Sequence, residues 1–138
     1  MKQTTMSDIA LDTNILIYSH LKNDEHKRAI AHELLTHRPI VPTQVVSEYL
    51  NVMKRLLFIP KIELLELCAQ WMNECHIQIV EKSTVNIAKQ IVQRYDFQLF
   101  DAIIVAAALE AGCKTLYSED MQHNMKIDRQ LTIINPFL

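Results

Sequence analysis

Apolar and polar positions come in short blocks along the chain. The first apolar run, Ile9–Leu11, stops at Asp12, passes through the polar pair Thr13–Asn14 and resumes as Ile15–Tyr18. A brief buried strand that ends in a carboxylate and turns at once into helix is the pattern of the C-terminal edge of a parallel sheet, where open α/β folds place their sites. The pattern predicts a strand over Asp8–Asp12 and a short helix or turn over Thr13–Tyr18. Ala29, Ile30, Leu34 and Leu35 recur at helical spacing and predict a helix over Glu25–Thr36, with Asp24 as its cap or first-turn acid. Pro39–Val41 reads as a brief strand ended by Pro42.

Thr43 is placed to cap a helix running to about Phe58. Val45, Val46, Tyr49, Leu50, Met53, Leu56 and Leu57 form its apolar stripe, and Gln44, Glu48, Asn51 and Arg55 fall on the other side. Pro60 opens another helix to about Asn73. Its apolar residues Ile62, Leu64, Leu65, Leu67 and Cys68, extended by Trp71 and Met72, cover too broad an arc for one buried face. That excess, with Leu56–Phe58 before it, predicts a subunit or partner contact along Leu56–Phe58 and Leu64–Trp71.

Ile77–Val80 reads as a strand, and Ser83 or Thr84 as the cap of the helix carrying Val85, Ile87, Ala88, Ile91 and Val92. Asp101–Ala111 is apolar almost all round, hence the most buried helix, and Gly112 can end it in the left-handed conformation. Thr115–Tyr117 is a strand, Ser118–Lys126 a polar loop and Leu131–Ile134 the last strand. Strands alternating with helices, two of the helices inserted mid-chain, predict a three-layer α/β/α domain with a central, largely parallel sheet. It is expected to be a single domain over residues 1–138, with the polar Met1–Ser7 frayed.

Composition narrows the function. At 49% hydrophobic and 22% charged residues the chain is an ordinary folded domain, and its formal net charge of -2 argues against a general electrostatic grip on nucleic acid. A polyanion would need a local basic patch, a bound metal or a partner. Three cysteines without a CxxC pair, and no signal-peptide pattern, point to a reducing, cytoplasmic setting. The longest apolar tract, Ala102–Leu109, is too short to span a bilayer, so no membrane role is expected. A single glycine rules out a Gly-rich dinucleotide loop.

Four acids stand at the starts or ends of elements that should converge: Asp12, Glu48, Asp101 and Asp120. Singly, each has an ordinary explanation as a helix cap, a surface glutamate, a first-turn acid or a solvated loop acid, and the choice between Asp120 and Glu119 stays open. Together, carboxylates held at a dry sheet edge repel one another unless a cation binds, and hard oxygen donors suit Mg²⁺ or Mn²⁺. The histidines at 20, 26, 32, 37, 76 and 123 have no zinc-site spacing, and His123, after the acidic loop, reads as solvated. Arg94, Lys126 and Arg129 lie nearest in sequence to the site elements and are the first candidates for phosphate contacts. Arg28, Lys54, Arg55, Lys61 and Lys114 are further ones.

These residues carry a resemblance. LDTNILIY (Leu11–Tyr18), TQVVSEYLNVM (Thr43–Met53), FDAIIVAAAL (Phe100–Leu109), TLYSEDMQH (Thr115–His123) and INPF (Ile134–Phe137) occur in an order and spacing similar to PIN-domain proteins, in particular the VapC-type toxin ribonucleases of toxin–antitoxin pairs. The resemblance implies metal-binding acids at Asp12, Glu48, Asp101 and Asp120, with Thr13, Asn14, Ser118 and Glu119 in support. It implies a Mg²⁺- or Mn²⁺-dependent endoribonuclease acting on structured RNA, leaving 5′-phosphate and 3′-hydroxyl ends, dimeric and silenced by a cognate antitoxin. Where many relatives have a glycine before the third acid, this chain has Tyr95–Asp96–Phe97–Gln98. A DNA or flap nuclease and a non-catalytic PIN module remain alternatives. A haloacid-dehalogenase-like phosphatase fits poorly, because Asn14 stands where its second Asp belongs and no lysine motif completes it.

Overall fold

A computed structural model describes residues 8–138; the expectation for Met1–Ser7 lies outside them. The chain order is β1 (Ile9–Leu11), α1 (Thr13–His20), α2 (Glu25–Leu35), β2 (Ile40–Pro42), α3 (Thr43–Leu57), α4 (Lys61–Met72), β3 (His76–Gln78), α5 (Lys82–Tyr95), α6 (Leu99–Glu110), β4 (Thr115–Tyr117), β5 (Lys126–Ile127) and β6 (Leu131–Ile134). The strands form one sheet in the order β3-β2-β1-β4-β6-β5. All neighbours pair in parallel except β5, an antiparallel edge on β6. Helices flank this mostly parallel sheet in a three-layer α/β/α arrangement, as the alternation of elements predicts.

Parallel strands covered on both faces must be apolar throughout. Ala10, Leu11, Ile40, Val41 and Leu116 are accordingly fully buried. Asp24 caps α2 by accepting the Lys27 N–H over 3.1 Å. Gly112, with φ of 80°, takes the left-handed position just past α6. After α5 the same kind of position is filled by Asp96, with φ of 56°.

Several boundaries differ from the sequence pattern, each because a distant group intervenes. Thr43 is the first residue of α3 and not its cap, and its Oγ1 accepts the Val80 N–H over 3.1 Å. β3 ends at Gln78, opposite Pro42 where its partner β2 ends, so Val80 lies beyond the strand. α5 is capped by Glu81, whose N–H donates to Thr84 Oγ1 over 3.0 Å, while Ser83 and Thr84 donate to Glu110 on α6. α6 begins at Leu99, which puts Asp101 in its first turn.

Part of the predicted loop is the strand β5. Its three-residue link to β6, residues 128–130, is closed by the Gln130 N–H to Ile127 O bond of 3.0 Å, with Asp128 and Arg129 both left-handed, positions that Asn and Gly usually fill. Asp128 is held there by Arg94 and Tyr95, whose side chains donate to its carboxylate over 2.6 and 3.0 Å.

Trp71 corrects the expected contact surface: it is 2% exposed and packs edge-on against Tyr49 in the core, ring centroids 5.2 Å apart. Leu64 is buried as well. Along α3, α4 and the turn between them, the large apolar side chains left exposed are Leu56, Phe58, Ile62 and Leu65, Phe58 being 88% exposed. Cys68, Cys75 and Cys113 are buried free thiols. Among the described residues no helix is long and apolar enough to cross a membrane.

Candidate active site

The sheet order reverses at β1: β2 and β3 extend to one side of it, β4, β6 and β5 to the other. The crevice beyond the carboxyl ends of β1 and β4 is therefore a topological switch point, the usual ligand position in open α/β sheets. Asp12 closes β1 there, its N–H reaching Tyr117 O on β4 over 2.9 Å. Its side chain caps α1, Oδ1 accepting the Thr13 N–H over 2.7 Å. Oδ2 accepts from Ser118 Oγ–H, also over 2.7 Å, and Ser118 Oγ itself accepts the Met121 N–H at 3.2 Å. Asp12 is only 7% exposed. Burial pushes its carboxyl up to about 6; the Ser118 and Thr13 hydrogen bonds oppose that rise, and the charges of Asp101 and Glu48 add to it.

Glu48 enters from α3 with both oxygens held: Oε1 accepts from Thr13 Oγ1 over 2.6 Å and Oε2 from Gln44 Nε2, one turn earlier, over 3.0 Å. Thr13 thus binds Asp12 with its backbone and Glu48 with its side chain. Asp101 comes from the first turn of α6, and its carboxyl is raised by burial and then by the charges of Glu48 and Asp120. Asp120, exposed at the rim, accepts from Asn14 Nδ2 over 2.8 Å.

The two adjacent loop acids face different ways. Glu119 accepts from Tyr18 OH over 2.7 Å and is ion-paired with Lys27, whose Nζ lies 4.6 Å from the centroid of the Tyr18 ring. It ties the loop to α1 and α2, while Asp120 faces the carboxylates.

Asp12, Thr13, Asn14, Glu48, Asp101 and Asp120 line a cavity of about 200 Å³. Asn51 and Val52 complete it, two residues that the sequence reading left out. The available signal was helical spacing, which sets Asn51 one turn after Glu48 on the same side of α3. Among the described residues no cationic side chain lines the cavity. The donor set fits a hard divalent ion: it is all oxygen, and the mutual charge that raises Asp12 and Asp101 is what such an ion would offset. Among the described residues, no three His, Cys, Asp or Glu side chains already form a ligand group. Protein donors occupy Asp12, Glu48 and Asp120, and each carboxylate keeps further lone pairs.

The remaining candidates lie outside the cavity. Arg94 is ion-paired with Asp128 at 2.6 Å. Lys126 pairs with Thr132, itself level with Thr115 at the start of β4, so it sits at the opposite end of that strand from Ser118. Arg129 is in the adjoining turn. His123 has a structural bond, its Nδ1 accepting the Asn135 N–H over 2.9 Å.

The family model described as PIN domain matches residues 9–126. Among solved structures, a toxin–antitoxin complex from Klebsiella pneumoniae is similar at a TM-score of 0.70 and 19% identity, over 93% of this chain and 97% of that one. Mycobacterium tuberculosis VapC20, a sarcin–ricin loop cleaving toxin, is similar at 0.65 and 18%, over 81% and 89%. DNA-bound VapBC from Salmonella typhimurium is similar at 0.69 and 17%, over 94% and 97%. At these identities the likeness is one of fold. No curated protein matches the chain.

Proposed function

The chain belongs to the PIN-domain family, and from that membership and the carboxylate cavity we propose that it is a divalent-metal-dependent endoribonuclease, the toxin of a VapBC-type pair. It hydrolyses RNA phosphodiesters to 5′-phosphate and 3′-hydroxyl ends. The observation that carries the proposal is the convergence of four carboxylates in one cavity at the switch point, with no cationic side chain among the described residues that line it.

Asp12, Glu48, Asp101 and Asp120 would hold Mg²⁺ or Mn²⁺. When bound, the ion supplies Lewis-acid polarisation of the phosphodiester and a lowered pKa for water. The protein's part is to fix the acids beforehand. Ser118 and the Thr13 N–H hold Asp12, Thr13 Oγ1 and Gln44 hold Glu48, and Asn14 holds Asp120, so little reorganisation remains at the moment of reaction. No histidine lines the cavity, so a histidine pair does not exchange protons with the 2′-hydroxyl, and that group serves recognition.

The neighbours named as toxin–antitoxin complexes support a cognate antitoxin as partner. Exposed Leu56, Phe58 and Ile62 support a homodimer, and buried free thiols suit a reducing cytoplasm. With a net charge of -2 the chain selects a folded RNA by shape, and Lys126 and Arg129, at the far end of the sheet, and Arg94, paired with Asp128, are not placed to steer it into the cavity.

The test is to offer the purified protein a structured RNA, the same sequence as DNA and a flap DNA, each with Mn²⁺. The expected result is cleavage of RNA alone, lost in Asp101→Asn. Faster cleavage of either DNA, or no cleavage of any RNA in a broad panel, contradicts the proposal.

A further inference from the structure

A second depression adjoins the carboxylate cavity. It lies between α3 and α4, has a volume of about 440 Å³, and is floored by Leu50, Leu64 and Leu65. Lys54 and Lys61 stand at one end of it, Ser47 and Asn51 along the α3 side. Successive helical residues are separated by about 100°. Glu48, Asn51 and Val52 therefore face the cavity, Ser47, Leu50, Asn51 and Lys54 face the groove, and Asn51 belongs to both.

We infer that this groove is a substrate subsite, holding a nucleotide next to the scissile phosphate: its base lies on the leucine floor, its phosphate meets Lys54 and Lys61, and Asn51 spans the junction. The inference rests on the nuclease reading above and adds where the strand runs. Charge selects the occupant. No acid lines the groove, and among the described residues neither lysine enters an ion pair, whereas Lys27 and Arg94 are both committed to carboxylates. Two uncommitted cations beside a cavity of acids suit a strand that presents one phosphate to metal and the next to lysine. The leucine floor offers apolar contact to the face of any base, which gives grip without sequence choice. A second copy of the chain seated here about a two-fold axis would set lysine against lysine, which disfavours it.

The test uses a labelled single-stranded oligoribonucleotide that the protein cuts, its binding followed by anisotropy across a salt series with Ca²⁺ in place of Mg²⁺. Each phosphate neutralised on a single strand contributes about 0.7 to the slope of log K against log salt, so Lys54→Ala/Lys61→Ala, which frees one phosphate, should flatten it by about 0.7. Lys54→Arg/Lys61→Arg should restore the slope, and Lys89→Ala, outside groove and cavity, should leave it unchanged. In Mg²⁺ the double alanine variant should raise KM and leave kcat near its starting value. Both lysines are exposed, and an unchanged urea midpoint verifies the fold. If the unaltered chain cuts the RNA and the double variant keeps its slope and KM, the subsite is wrong while the nuclease reading stands. If the double variant instead changes only the sedimentation of the protein, the groove is a contact between copies and the inference is overturned. If the unaltered chain neither binds nor cuts RNA, the nuclease reading fails and the subsite with it.

Discussion

Ser118 Oγ donates to Asp12 Oδ2 over 2.7 Å, joining the residue that follows β4 to the residue that ends β1 across the switch point of the sheet. Both groups are buried, so the bond is made where water cannot replace it. Ser118→Ala is expected to cost about 1.5–3 kcal/mol of stability while Asp12 is ionised, the range for a hydrogen bond to a charged group. It should also loosen Asp12 and lower kcat more than it raises KM. Urea unfolding at pH 7.5 and steady-state cleavage check this; an unaltered midpoint together with unaltered kcat would remove Ser118 from the account.

Asp12 also sets a pH dependence in the absence of metal. Its carboxyl is raised from 3.8 to about 6, so the folded chain binds the proton more tightly than the unfolded one. Stability then falls as pH rises from about 4 to about 6, and the penalty is complete above that, on the order of 3 kcal/mol from the linkage relation. Asp12→Asn carries no such penalty. Melting in EDTA should show the variant gaining on the parent between pH 4 and pH 7, and added Mn²⁺ should narrow the gap by stabilising the parent. A gap that does not vary with pH would mean that Asp12 ionises in the fold as easily as in the unfolded chain.

Glu119 and Asp120 should separate cleanly. Asp120→Asn is expected to weaken Mn²⁺ binding by more than about tenfold, the loss typical of even an outer partner of a metal site. Glu119→Gln, which disturbs only the Tyr18–Lys27 cluster, should leave Mn²⁺ affinity unchanged. Calorimetric titration distinguishes them, and the opposite order would make Glu119 the fourth acid.

That division could not be read from the sequence. Two neighbouring loop acids look alike until Lys27 and Tyr18, some hundred positions earlier in the chain, claim one of them. The four acids of the cavity were legible because Asp12, Asp101 and Asp120 sit at the ends of strongly patterned elements and Glu48 opposite a clear apolar stripe. What stayed hidden depended on partners remote in sequence. Val80 bonds Thr43 beyond the end of β3, Trp71 turns inward to Tyr49, and β5 forms around an Asp128–Arg129 turn that has neither Asn nor Gly to announce it.

Self-association follows from the apolar residues left outside the core. Leu56, Phe58 and Ile62 form an exposed set near the α3–α4 turn, outside the lysine groove, and a homodimer through it is expected at micromolar concentration. Phe58→Asp with Ile62→Asp should give monomer in analytical ultracentrifugation without loss of fold. A parent chain that is already monomeric across the micromolar range would rule the dimer out.

The central claim is that carboxylates holding a divalent ion, and no protein nucleophile or histidine pair, direct hydrolysis of RNA. Sequencing the ends made by antitoxin-free protein, with Mn²⁺, with EDTA and beside Asp12→Asn, tests it most directly. The account predicts 5′-phosphate and 3′-hydroxyl ends that form with Mn²⁺ and vanish both in EDTA and in the variant; 2′,3′-cyclic phosphate ends, or equal cleavage in all three samples, would contradict it.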